Sequence, residues 1–206
     1  MYTPKHFQEN DREVMFQLIQ QQPFALLVMT SAAGIPVATH IPVELQTDPD
    51  GAARLVGHVS KANPQAKLFG SNVPALAVFS GPHAYISASW YNHINVPTWN
   101  YIAVHAYGPT RVLTEDETLQ LLRNQTDRYE KASACPVSIE SMTEAYVRKE
   151  MRGLVAFSLA IDTLQGTAKL SQNRDDTNHA AIVENLRQRA DPDSQHVADE
   201  MVKRRM

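Results

Sequence analysis

The sequence has little of what disulfide scaffolds, metal clusters and membrane spans require. Its single cysteine, Cys135, excludes an intrachain disulfide and any zinc or iron–sulfur site built from several cysteines. The longest uninterrupted apolar run, Phe24–Met29, is too short to cross a bilayer. The first residues also lack the apolar core of a secretory signal. We therefore expect a cytoplasmic protein with no membrane partner.

Charge of one sign and the common catalytic motifs are missing as well. The chain has 19 Lys and Arg against 22 Asp and Glu, which gives a net charge of -3. A protein that coats nucleic acid would instead be basic. Its 8 histidines include no His-Glu-x-x-His pattern, so we predict no metal site. Gly-x-Ser-x-Gly is also absent, which leaves a hydrolase without support. The basic stretch 203–205 is predicted to be a frayed charged end rather than a DNA-reading element.

What is present is a chain of 206 residues that is 43% hydrophobic, enough to bury a substantial core. We predict one domain over 1–206, with a helical tail over 178–206 that packs on it or extends from it. Short strands alternate with turn signals, and the segment 80–82 (Ser-Gly-Pro) is predicted to be a turn between two of them. The predicted strands cover 24–30, 35–44, 54–59, 75–79, 83–87, 101–107, 153–161 and 167–170.

Helices are predicted between and around these strands. The predicted helices are 10–22, 63–69, 114–131 (with a capping box at its start) and 139–147. Because these helices do not alternate regularly with the strands, a parallel doubly wound sheet is disfavoured. The pattern instead indicates a mainly β protein, a small barrel with inserted helices.

Two segments suggest ligand binding on or near strands. The first, Thr39-His40-Ile41-Pro42, places a histidine inside an apolar strand, although such a histidine is often only part of a core. The second runs from Gly57 through His58, Ser60, Lys61 and Asn63 to Gln65, from a strand into a helix N-terminus. Unpaired N–H groups there, with a hydroxyl and an ammonium, suit a phosphate. An ordinary helix cap with a solvated lysine is the alternative.

Two further segments are rich in aromatic and polar side chains. Both tryptophans lie in Trp90–Tyr101, where the rings could form a platform for a flat ligand and Asn100 could bind its heteroatoms. The alternative is a loop anchored by large side chains. The second segment, Lys169–Arg174, follows a strand and has five polar side chains among its six residues. By itself it is more typical of a turn with a solvated charged face.

Taken together, these segments in this order resemble the PaiB-type FMN-binding negative transcriptional regulators, a branch of the split-barrel flavin-binding proteins. The resemblance covers nearly the whole chain. One departure is Ala88, where a proline is expected between two serines. The matching motifs include Met1-Tyr2-Thr3-Pro4, Thr39-His40-Ile41-Pro42, Ala62-Asn63-Pro64-Gln65, Val96-Pro97-Thr98-Trp99-Asn100-Tyr101, Glu150-Met151-Arg152-Gly153 and Lys169-Leu170-Ser171-Gln172-Asn173-Arg174.

The resemblance implies a six-stranded antiparallel split β-barrel, FMN as cofactor, and a homodimer with a flavin at each end of the interface. Residues 39–41 would then run along the isoalloxazine or ribityl chain, and residues 60–63 would hold the phosphate. Other residues would complete the pocket, some of them from the partner subunit. The full predicted set is Thr39, His40, Ile41, His58, Ser60, Lys61, Asn63, Trp99, Asn100, Lys169, Gln172 and Asn173.

Fold does not fix function, so three roles stay open. The first is a flavin-binding negative transcriptional regulator that acts on DNA or on a protein partner, although neither partner is evident in the sequence. The second is a small FMN-dependent oxidoreductase that uses NAD(P)H. The third is a haem- or flavin-binding protein without turnover, in which His40, His58 or His105 could be a haem ligand.

Overall fold

The computed structural model describes residues 1–205 and divides the chain into two compact units. Unit 1 consists of residues 1–22, 79–105 and, as far as they are described, 164–206. Unit 2 consists of residues 23–78 and 106–163. Since both units are assembled from separated stretches of chain, neither corresponds to one continuous segment.

Strands and helices follow one another in an irregular order along the chain. The strands are β1 (Gln8–Glu9), β2 (Phe24–Thr30), β3 (Pro36–Thr47), β4 (Ala53–Ser60), β5 (Ala75–Ile86), β6 (Thr98–Gly108), β7 (Thr110–Val112), β8 (Leu154–Ala160) and β9 (Thr163–Lys169). The α-helices are α1 (Arg12–Gln21), α2 (Glu115–Glu130), α3 (Glu144–Met151), α4 (Asp176–Arg187) and α5 (Pro192–Lys203). Short 3₁₀ helices cover Lys5–Phe7, Pro64–Lys67, Ala88–Trp90 and Ile139–Ser141.

Unit 2 is built on antiparallel strands whose inward side chains form its core. β2 pairs with both β3 and β5, β3 with β4, β4 with β8, and β8 with β7. Leu27, Leu55, Phe157 and Leu159 are almost completely buried. Helix α2 places Leu121 against Val56 and Ala156 in a second apolar cluster. Burial of one strand face, with the next residue facing outward, fixes the register of these strands.

Unit 1 combines the sheet segment β1-β9-β6-β5 with helices α1, α4 and α5. β1 pairs with β9 in antiparallel fashion. The helices contribute apolar side chains that are almost fully buried, which shows that α4 and α5 are integral to this unit. These side chains are Ile19, Ile182, Leu186, Val197 and Met201.

The predicted class, mainly antiparallel β with helices, is confirmed, but the predicted number of six strands is wrong. Within residues 1–205, nine strands follow the order β1-β9-β6-β5-β2-β3-β4-β8-β7. The predicted turn at 80–82 is also wrong, because β5 runs continuously through it. The strand can continue there because Gly81 has no side chain. A Cβ at this position would lie 3.0 Å from Leu18 Cδ1 and 3.1 Å from Ile102 O. Close packing, not a turn, therefore requires the glycine.

The helix predictions hold in part. The capping box of α2 is present, with the Thr114 side chain and the Glu117 side chain each bonding the other residue's backbone N–H. The predicted helix 139–147 is instead a 3₁₀ turn followed by α3, because Thr143 caps a new helix by accepting from Tyr146 N–H. No helix in the described residues is long and apolar enough to cross a membrane.

The prediction of a frayed basic end is wrong for the two arginines there. Arg204 pairs with Glu9 and with Glu200, its Nε lying 3.1 Å from the Glu200 carboxylate. Arg205 pairs with Asp176 and donates to the Arg174 carbonyl at 3.1 Å. The basic end is therefore fastened to unit 1.

Candidate functional site

One group of predicted residues comes together in unit 2, where the loop after β4 meets β3. The Asn63 side chain donates from Nδ2 to Thr39 Oγ1 at 2.9 Å, and its Oδ1 accepts from Gln65 N–H at 2.9 Å. The fully buried Gln65 donates to the carbonyls of Leu27 and Val37 at 3.1 and 2.9 Å. These bonds hold the loop in a fixed position beside the residue 39–41 segment.

The sequence argument for unpaired N–H groups in this loop is wrong. The Lys61 N–H donates to Gly153 O at 2.8 Å, Ala62 N–H to Ser60 Oγ at 3.3 Å, and Asn63 N–H to Ser60 O at 2.9 Å. The expected helix is a 3₁₀ turn of 4 residues, too short for a helix dipole to matter. The donors left for an anion are the Lys61 ammonium and the Ser60 hydroxyl, both exposed.

The predicted strand residues 39–41 point to opposite faces of β3. Thr39 is held by Asn63, and Ile41 is 5% exposed in the core. His40 is exposed, and its ring is stacked on Phe24 at 5.9 Å between centroids with an interplanar angle of 21°. Within this segment, His40 is therefore the side chain that presents a flat ring to solvent.

His58 lies beneath helix α2, and burial decides its properties. Burial lowers the pKa of His58, while a hydrogen bond with the Gln125 side chain raises it by less. Glu44 on neighbouring β3 is also buried; burial raises its pKa, which the nearby Arg128 guanidinium partly offsets. This buried polar group under α2 was not singled out by the sequence argument, because Glu44, Gln125 and Arg128 belong to no motif.

A second group of predicted residues lies in unit 1, around the end of β9. The Lys169 ammonium donates to Trp99 O at 2.8 Å and also to Thr98 Oγ1. The Trp99 side chain is 53% exposed, and its ring has centroid distances of 5.9 Å to Tyr85 and 6.1 Å to His83. An exposed aromatic surface therefore lies beside a lysine that hydrogen bonds hold in place.

Other predicted residues in unit 1 shape this region from within. Asn100 is fully buried, accepting from Ser171 Oγ at 3.1 Å and directing Nδ2 to Met201 Sδ at 3.5 Å. Gln172 closes its own loop, since Oε1 accepts from Leu170 N–H at 2.7 Å. Asn173 is exposed.

The loop that carries these residues has an unusual backbone. Ser171 has φ of 60°, in the left-handed region, and is 4% exposed. A non-glycine residue there costs free energy and persists only where its surroundings hold it. The bond to Asn100 supplies part of that restraint. Sequence reasoning could not anticipate this conformation, because serine is not a residue that marks positive φ.

The structure therefore brings Thr39, Ser60, Lys61 and Asn63 together in unit 2, and Trp99, Asn100, Lys169 and Gln172 together in unit 1. Each group has its own hydrogen-bonded framework. The described residues contain no group of three or more His, Cys, Asp or Glu side chains placed to hold a metal ion.

Comparison with known proteins identifies the family. A family profile described as "Putative FMN-binding domain" matches residues 1–163. The chain belongs to this FMN-binding family. It is also 36% identical, over 201 residues, to the Protease synthase and sporulation protein PAI 2 of Bacillus subtilis, with 98% of this chain and 96% of the relative covered. The predicted resemblance is confirmed, and so is FMN as the cofactor of the family.

Solved structures share the fold of this FMN-binding family member. The FAD and heme binding protein from Mycobacterium smegmatis aligns with a TM-score of 0.63 at 22% identity, covering 84% of this chain and 78% of that one. The flavocytochrome Anf3 from Azotobacter vinelandii aligns with a TM-score of 0.61 at 18% identity, covering 87% and 78%. These TM-scores show a common fold, and at identities this low the likeness extends to the fold alone.

Proposed function

We propose that this chain binds FMN in unit 2, along β3 and the loop 60–63. The observation that carries the proposal is the Asn63–Thr39 hydrogen bond, which joins the two sequence segments expected to hold the flavin. The buried Gln65 fixes the same loop to β2 and β3. The site is therefore pre-organised rather than assembled by the ligand.

The available donors match the parts of FMN. The Lys61 ammonium has no hydrogen bond or ion pair within residues 1–205, and together with the Ser60 hydroxyl it offers charge and donors to a phosphate. The exposed His40 and Phe24 rings offer a flat surface to an aromatic ligand. Bound FMN supplies the redox-active isoalloxazine ring, and the protein supplies binding and orientation.

The experiment is a fluorescence titration of Lys61→Gln with FMN and with riboflavin, which lacks the phosphate. We expect Lys61→Gln to weaken FMN binding about tenfold, the loss of one charge-assisted contact, and to leave riboflavin binding unchanged. The matched control is Lys67→Gln, another exposed lysine in the adjacent 3₁₀ turn. Full FMN affinity in Lys61→Gln would show that the phosphate is held elsewhere.

For the biological role we favour a flavin-binding negative regulator. The 36%-identical relative is named for protease synthesis and sporulation, which fits a regulatory role. The basic C-terminal residues Arg204 and Arg205 are engaged by carboxylates within unit 1, so we infer a regulator that acts through a protein partner or through another DNA-contacting surface. A promoter-specific, salt-dependent gel shift that Arg205→Gln does not alter would support DNA contact elsewhere.

We also propose that the chain forms a cytoplasmic homodimer. On one face of unit 2, Phe24 is 65% exposed. The half-buried pairs Leu26–Val78 and Val28–Leu76 lie opposite each other on β2 and β5 of the same face. A contiguous apolar face of this kind is typical of an interface. Light scattering should give twice the chain mass for the native protein and the monomer mass for Leu26→Glu; a native monomer would contradict the proposal.

The second candidate is a small FMN-dependent oxidoreductase. The observation that favours it is the exposed Trp99–Tyr85 surface beside Lys169, which could receive a flat second substrate. Steady-state oxidation of NAD(P)H by FMN-loaded protein would separate this role from a regulator. A visible spectrum distinguishes the haem alternative, since haem binding by a histidine would give a Soret band.

A further inference from the structure

The loop at the end of β9 carries two positive charges, Lys169 and Arg174, that pair with no carboxylate of residues 1–205. The Arg174 guanidinium lies over the Tyr91 ring, 5.2 Å from Cζ to the centroid, and makes no hydrogen bond or ion pair within residues 1–205. The Lys169 ammonium uses two of its three protons on Thr98 and Trp99, which leaves one for a ligand.

Hydrogen bonds place the two cations on the same side of this loop: the Lys169 ammonium contacts Trp99, the next residue Asn100 is bonded to Ser171, and the Ser171 carbonyl accepts from Arg174 N–H. In agreement with this, burial lowers the pKa of Lys169, and the Arg174 guanidinium lowers it further. The acidic residues of the next turn are already engaged: Asp175 caps helix α4 by accepting from Asn178 N–H at 3.0 Å, and Asp176 pairs with Arg205. The cation pair therefore lacks a neutralising carboxylate from its own loop.

The framework holds both cations in place. Between them, Ser171 adopts its left-handed backbone conformation, bonds to Asn100, and accepts from Arg174 N–H at 3.1 Å. The Tyr91 hydroxyl is buried, and no acceptor reaches it within the described residues. A restrained loop that carries two cations, with one unsatisfied hydroxyl under the Arg174 guanidinium, favours binding of a phosphate.

We propose that Lys169 and Arg174 form a phosphate-binding site in unit 1, separate from the loop 60–63. Arg174 presents a planar fork and Lys169 a point charge, a combination suited to a phosphoryl group that carries two negative charges. The phosphate could belong to a nicotinamide nucleotide or to FMN itself. The site does not depend on the proposed flavin site in unit 2.

The test compares Arg174→Gln and Lys169→Gln with the native protein and with Arg187→Gln, an exposed arginine of the same unit that pairs with Asp199 at 3.5 Å. Affinities are measured by calorimetry for NADPH, FMN and riboflavin, and for inorganic phosphate by ³¹P line broadening. We expect both site variants to weaken a phosphate-bearing ligand by about 10- to 100-fold, and the control to leave it unchanged. Unfolding midpoints establish that the variants are folded.

The probes separate the two sources of phosphate. A loss for NADPH with FMN unchanged would assign the site to a second nucleotide. A loss for FMN with riboflavin unchanged would keep the phosphate site but assign it to the flavin, and would overturn the role of Lys61. The proposal is overturned if neither variant alters any of these affinities, or if the native protein binds none of the phosphate compounds. If neither variant alters any affinity but the native protein binds FMN, the proposed flavin site in unit 2 still stands.

Discussion

Replacing Arg204 by methionine should destabilise the protein far more than its position near the C-terminus suggests. The Arg204 side chain is 22% exposed, and its partners Glu9 and Glu200 are 13% and 27% exposed. Arg204→Met removes the cation, leaves the Glu9 carboxylate without a cation in a largely desolvated place, and leaves Glu200 with only the exposed Lys203 at 3.4 Å. The cost arises mainly from the uncompensated charge of Glu9 and not from the lost attraction.

The structure sets the size of the effect. Breaking a fully buried ion pair costs about 3 to 5 kcal/mol, and the residual exposure here places the expected loss near the lower end, about 3 kcal/mol. For a chain of this length that corresponds to a fall in Tm of about 6 to 12 °C. Urea unfolding followed by circular dichroism measures the free energy directly, provided that the transition is two-state.

Two comparisons make the result interpretable. Lys203→Met removes a neighbouring cation whose side chain is 69% exposed, so its effect should stay below about 0.5 kcal/mol. The double variant Glu9→Gln with Arg204→Met should be more stable than the sum of the two single losses predicts, because Glu9→Gln removes one stranded charge. If Arg204→Met unfolds like the native protein, the C-terminal segment is frayed in solution and our interpretation of the ion pair is wrong.

Two other predictions concern unit 2. Because burial lowers the pKa of His58, the unfolded chain takes up a proton more readily than the folded one below the ordinary value of 6.5, and stability falls as the pH decreases. His58→Gln should flatten this loss; urea midpoints from about pH 8 to about pH 5.5 test it, and parallel native and variant curves would contradict it. A Cβ on Gly108 would lie 1.7 Å from Ala160 O, so Gly108→Ala should cost at least about 3 kcal/mol or abolish soluble expression. Gly34→Ala, with φ of 76° and open space, should cost only about 1 kcal/mol when both glycine variants are unfolded with urea; equal losses would refute the clash argument.

The sequence was sufficient for those parts of the fold that local patterns determine. Hydrophobic periodicity placed α1 and most strands, and the Thr114–Glu117 capping box marked the start of α2. It failed where a distant packing contact outweighs a local signal. At Gly81 the close approach of Ile102 O, which lies far along the chain, makes the glycine part of a strand instead of a turn.

The candidate site was predictable to a similar extent. The segments around Thr39, Asn63 and Lys169 match motifs of the family. The structure shows a hydrogen bond between Thr39 and Asn63 in unit 2 and one between Lys169 and Trp99 in unit 1. The use of each side chain was not predictable, because it depends on partners far apart in sequence. Asn100 is an example: its amide reaches Met201 and Ser171 inside unit 1 and is not free for solvent.

The interleaved assembly of the two units has a consequence for defining domains by homology. The family profile ends at residue 163, but unit 1 draws β9, α4 and α5 from the residues that follow. A fragment that stops at the profile boundary would lose the partner strand of β1 and the arginine that neutralises Glu9. It would expose the residues of unit 1 that these helices cover. We therefore expect truncation at residue 163 to destabilise unit 1, so biophysical measurements need the residues that follow it as well.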